Sequence, residues 1–87
     1  MTQENDYSEF NASFCNRTRQ LRLRTGMSMA EMAATLGIPQ PRYAKYETRT
    51  PIPHYLIKRF CAITNSDFEQ LAGYRPLNNP QRFKNTA

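Results

Sequence analysis

Gln40, Arg42 and Lys45 lie within six residues of one another in the stretch "PQPRYAKYE". A guanidinium or an ammonium group can donate to O6 and N7 of guanine, and a glutamine amide can pair with N6 and N7 of adenine. Three such groups on the exposed side of one short helix form a set able to read base edges in a major groove. The remaining chemistry is sparse. His54 has no serine and carboxylate partners arranged around it, and the chain carries neither a glycine-rich phosphate loop nor an HExxH. Cys15 and Cys61 lie far apart, and one histidine cannot complete a zinc site with them, so no metal or other cofactor is expected. Both cysteines fall in apolar helical patterns and read as buried reduced thiols. The chain is therefore expected not to be an enzyme.

Charge placement supports the same reading. Residues 16–50 hold Arg17, Arg19, Arg22, Arg24, Arg42, Lys45 and Arg49 against only Glu31 and Glu47, whereas residues 1–10 hold Glu4, Asp6 and Glu9 and no base. The net charge of the 87 residues is +5. A local basic excess suits a polyanion such as nucleic acid, although charge alone fits a solvated basic face equally well. No apolar run approaches membrane-spanning length, and the opening "MTQENDYSEF" is too polar and acidic for a signal peptide, which makes the expected location cytoplasmic.

The elements that must position Gln40, Arg42 and Lys45 are all helical. Phe14, Thr18, Leu21 and Thr25 recur at helical steps, with Gly26 available as a left-handed stop, which gives a helix over about 13–25. Ser28 and Glu31 form a capping box, with Met27 and Met32 in staple positions, and Gly37 ends this second helix after Leu36. Pro41 is tolerated only in a first turn, so a third helix runs from about Gln40 to Thr48. The gap of Gly37 to Pro39 is the length of a helix-turn-helix corner. A fourth helix is expected over 53–63, and a capping box of Ser66 with Glu69 opens a fifth, with Phe68, Leu71 and Ala72 inside and Gly73 at its end. The fold class is all-α: a five-helix bundle over 13–73, a loose flexible arm over 1–12 and an extended basic tail over 74–87.

The stretch "LRLRTGMSMAEMAATLGIPQPRYAKYETRTPIP" resembles the Xre/Cro-type helix-turn-helix of phage repressors and many bacterial regulators. Matching positions are Leu21, Arg22, Gly26, Met27, Ser28, Met32, Ala33, Leu36, Gly37, Ile38, Tyr46, Glu47 and Pro53, and the likeness extends over about residues 14–73. It implies that the third helix reads double-stranded DNA, that Arg22 and Glu47 form a largely buried ion pair, and that Thr48, Arg49 and Thr50 contact the DNA backbone, with Ser28 joining them at the second helix. Three positions depart from the pattern. Met29 replaces a glutamine that usually touches phosphate. Pro39 and Pro41 replace donors at the helix entrance. Tyr43 replaces an aliphatic residue; its ring is expected to pack inward, and its hydroxyl is counted among the DNA contacts.

The resulting expectation is a bacterial or phage-encoded transcriptional regulator, associated with the nucleoid when bound: a homodimeric repressor that occludes promoters at a palindromic operator. The alternative is a protein-interaction module, antitoxin or adaptor, that uses the fourth and fifth helices with Leu77 and Phe83 as exposed anchors. Binding of RNA or single strands needs an exposed aromatic platform, which Tyr43 and Tyr46 do not offer if they are packed. For the tail three roles stay open, namely contact across a dimer, contact with DNA through Arg75, Arg82 and Lys84, or disorder; dimer contact is favoured by the apolar Tyr74, Leu77 and Phe83.

Overall fold

The computed structural model describes the backbone of residues 2–77 and the side chains of residues 9–77. Five α-helices and no strand occur among the described residues: α1 Thr2–Thr25, α2 Met29–Leu36, α3 Gln40–Tyr46, α4 His54–Thr64 and α5 Phe68–Ala72. The helix expected from residue 13 starts eleven residues earlier, at Thr2. Neither proline nor glycine occurs before Gly26, so nothing in the backbone chemistry stops the helix from extending toward the N-terminus.

In α1 the buried face is Phe14, Cys15, Thr18, Leu21 and Arg22. The hydroxyl of Thr18 is satisfied locally, donating to the Phe14 carbonyl at 3.0 Å. Gly26 then takes φ +81°, ending α1 and turning the chain toward α2. The turn is tied by Thr25, whose hydroxyl donates to the Arg22 carbonyl and accepts from the Met27 N–H.

Both halves of the Ser28–Glu31 capping box are present, and Met32, Ala33 and Leu36 point into the core. The core continues through Tyr43, Ile52, Leu56, Phe60 and Leu71. α1 packs on α4 and α5, α2 packs on α3 and α4, and α4 packs on α5. The two cysteines are free and buried, and burial raises both thiols above their ordinary value.

The start of α5 differs from the sequence expectation. Its capping box is Asp67 with Gln70, one residue beyond Ser66 and Glu69. Ser66 belongs to the end of α4: its N–H donates to the Cys61 carbonyl, and its hydroxyl bonds that of Thr64. This register buries Gln70 with Leu71 and Ala72, and leaves Phe68, expected inside, 49% exposed. α3 ends at Tyr46 rather than at Thr48, with Glu47 as its cap.

The first residues of the expected tail are held against α5. Arg75 pairs with Asp67 and with Glu69, the latter at 3.3 Å, and the Gln70 amide donates to the Pro76 carbonyl. Leu77 packs against the core, which corrects its role as an exposed anchor. The expectations for Arg82, Phe83 and Lys84 lie outside the described residues.

Candidate nucleic-acid interface

The surface of α3 is defined by what lies behind it. Tyr43 is fully buried, and Tyr46 and Glu47 are nearly so. The two tyrosine rings meet edge to face with centroids 6.4 Å apart. Gln40, Pro41, Arg42 and Lys45 remain exposed, with Ala44 half-buried. The structure thus leaves Gln40, Arg42 and Lys45 at the surface and removes Tyr43 from it. Its hydroxyl is buried and has no hydrogen-bond partner, so a phosphate contact by Tyr43 is corrected to packing. Burial pushes the Tyr43 phenol far above its ordinary value, and the neighbouring Glu47 carboxylate adds to this.

The anchor of α3 is an ion pair across the core. Arg22 Nε donates to Glu47 Oε2 at 2.6 Å, and its NH2 group donates to Oε1 at 3.1 Å. The third guanidinium nitrogen donates to the Met27 carbonyl at 2.9 Å. Both residues are 7% exposed. Hydrogen bonding to Glu47 raises the Arg22 pKa, outweighing the opposing effect of burial. One side chain therefore ties α1, the turn before α2 and the end of α3 together. The bidentate geometry fixes direction as well as distance.

Entry into α3 is set by proline. Pro39 caps the helix without a side-chain hydrogen bond, and the N–H groups of Arg42 and Tyr43 both donate to its carbonyl at 3.1 Å. Pro41 has no N–H. The Gln40 N–H is the free donor of this first turn among the described residues. The start of α2 differs: Ser28 Oγ accepts from the Glu31 N–H at 3.1 Å and Glu31 accepts from the Ser28 N–H at 2.8 Å. The Ser28 hydroxyl is exposed, and its proton remains available to an acceptor. Met29, in the position of a usual phosphate contact, packs partly against the core.

After α3, the N–H groups of Thr48, Arg49 and Thr50 converge on the Lys45 carbonyl at 3.2, 2.8 and 3.0 Å. All three side chains are exposed. The Thr48 hydroxyl donates to the Ala44 carbonyl at 3.0 Å, so its proton is already engaged. Arg49 and Thr50 are the more available groups of this turn.

Two structural contacts carry no clear sequence signal. Arg59 on α4 donates to the Leu36 carbonyl at 3.2 Å, fastening the end of α2 where Gly37 adopts φ +78°. Arg17, one of the basic residues of α1, bonds Ser13 and lies over Gly73 at the end of α5. A tertiary contact between residues far apart in the chain has no local pattern that announces it.

Among the described residues no cluster of three His, Cys, Asp or Glu side chains can hold a metal ion, and no helix is long and apolar enough to cross a membrane. A family model described as "Helix-turn-helix" matches residues 19–56, from the second half of α1 into α4. Comparison with curated proteins and with solved structures returned no match. The matched model is that of the Xre/Cro-type family, and its bounds enclose the buried Arg22–Glu47 pair and every exposed cation of α3. Residues 19–56 match the Xre/Cro-type helix-turn-helix family, and that match supports a DNA-binding transcription regulator of this type.

Proposed function

We propose that the chain is a homodimeric repressor that binds a palindromic operator and acts by covering a promoter. The observation that carries this reading is the exposed side of α3, with Gln40, Arg42 and Lys45 outward and the helix fixed from behind by Arg22 and Glu47. In this reading Gln40, Arg42 and Lys45 read base edges, while Ser28, Arg49, Thr50 and Thr48 hold the phosphate backbone. Thr48 takes part by accepting rather than donating, unless it releases Ala44. The DNA-binding domain is residues 13–73, preceded by the N-terminal segment 1–12 and followed by the tail over 74–87 in dimer contact, and the protein acts in the cytoplasm of a bacterial or phage-infected cell.

Three base-reading side chains discriminate weakly. Two copies on an inverted repeat double the contacts and match a two-fold protein to a two-fold site. No ligand-sensing unit is recognisable in the described residues, and occlusion of a promoter requires none. The test is sedimentation of the full chain with and without a selected operator duplex. Two chains per duplex are expected; one chain per duplex contradicts the dimer.

A second reading, a protein-interaction module, is favoured by one feature. An open groove of about 550 Å³ between α4 and α5 is lined by Ile57, Cys61, Ala62 and Phe68, among others. Arg42→Ala with Lys45→Ala separates the two: loss of function supports DNA reading, and retained function supports the groove.

A further inference from the structure

The middle of the exposed side of α3 is apolar. Successive helical residues turn by about 100°, so the exposed arc runs in the order Gln40, Ala44, Pro41, Lys45, Arg42. The buried residues Tyr43, Tyr46 and Glu47 occupy the rest of the circle. Pro41 is exposed and central, flanked by half-buried Ala44 and by Lys45. Its ring has no donor or acceptor, and its missing N–H costs the helix nothing in the first turn. Pro41 and Ala44 also lose no side-chain rotamer freedom on contact. The long side chains at either edge of the arc can hydrogen-bond, but the centre can only exclude water from another apolar group. In the major groove that group is the pyrimidine 5-methyl.

We propose that Pro41, with Ala44 beside it, is a specificity-determining residue that reads a 5-methyl group, of thymine or of 5-methylcytosine. The inference rests on the reading of α3 as the base-reading helix. It predicts that the hydrogen-bonding contacts of Gln40, Arg42 and Lys45 surround one or two base pairs per half-site selected by methyl contact alone.

The test begins with duplexes selected by the full chain from a random pool. Each dT of the enriched motif is then replaced singly by dU, which removes only the methyl, and affinity is read by fluorescence anisotropy at fixed salt. At one or two positions per half-site the affinity falls about fourfold, the equivalent of one buried methylene at roughly 0.8 kcal/mol. At those positions 5-methylcytosine outperforms cytosine by a similar factor. In Pro41→Ser, checked for helix content by circular dichroism, the dT-to-dU ratio falls below about twofold. An enriched motif with no dU-sensitive position overturns the inference and leaves the regulator reading standing. An unchanged ratio in Pro41→Ser overturns it as well. No enriched motif overturns both.

Discussion

Replacing Glu47 by Ala strands the Arg22 guanidinium in a site where it is 7% exposed and where Glu47 supplies two of its three hydrogen-bonded contacts. A buried ion pair broken from one side typically loses about 3–5 kcal/mol, most of it the penalty of an uncompensated charge. For a chain this short, each kcal/mol moves the thermal midpoint by roughly 4–8 °C. Glu47→Ala therefore lowers Tm by at least about 12 °C and removes a large part of a stability on the order of 5–15 kcal/mol. Arg22→Met acts similarly from the other side, leaving a buried carboxylate. The double variant Arg22→Met/Glu47→Ala leaves neither charge and is less destabilised than the sum of the two singles, since no uncompensated buried charge remains. Urea denaturation followed by circular dichroism measures all four proteins, with an unchanged m value marking a comparable unfolding transition. A loss below about 1 kcal/mol in either single variant, or strict additivity in the double, refutes the view that this pair fastens α3.

Other outcomes follow from the same geometry. Tyr43→Phe removes a buried hydroxyl without a partner, so stability holds or rises by about 1 kcal/mol and DNA affinity is unchanged; weaker binding in anisotropy contradicts the buried placement. Arg42→Ala costs about 1–3 kcal/mol of specific binding and relaxes preference at one base pair, whereas Arg49→Ala weakens all sequences alike and lowers the salt slope by about 1, as affinity titrations across salt concentrations measure. The Gln70 N–H, with Arg75 beside it, holds the Asp67 carboxyl below its ordinary value. The folded state then binds fewer protons than the unfolded state in acid, so this contribution is present above the ordinary carboxylate pKa of about 3.9 and is lost as pH falls through the lower folded value. Asp67→Asn keeps a capping oxygen and flattens that part of the acid stability profile, read from urea midpoints between about pH 2 and pH 5.

The parts of the fold legible in the sequence are those governed by local chemistry. The Ser28–Glu31 box, the stop at Gly37 and the start of α3 around Pro41 each need only a few neighbouring residues. The start of α5 lies one residue beyond the expected Ser66–Glu69 box. Ser66 with Glu69 and Asp67 with Gln70 are overlapping caps, and the choice was made by the end of α4, which takes Ser66 for itself. In the first half of α1, Tyr7 and Phe10 continue the spacing of Phe14 and Thr18 toward the N-terminus and no residue breaks a helix, but these two aromatics stand among polar residues, so the stripe was sparse there. Contacts across the chain stayed hidden where no family pattern marks them, as with Arg59 on the Leu36 carbonyl and Arg75 against α5. Arg22 and Glu47, 25 residues apart, were legible through family resemblance and not through spacing. At the interface, residue types pointed to Gln40, Arg42 and Lys45, but burial alone separates Tyr43 from them and sets Pro41 in their midst.

The central claim is that α3 reads a defined DNA sequence as part of a two-fold assembly. Its most direct test is selection of random duplexes by the full chain, repeated at two salt concentrations and followed by sequencing. The account predicts an enriched inverted repeat with half-sites about one helical turn apart, retained at the higher salt. Retention without any enriched sequence, vanishing as salt rises, contradicts it and reduces the basic helix to a phosphate clamp.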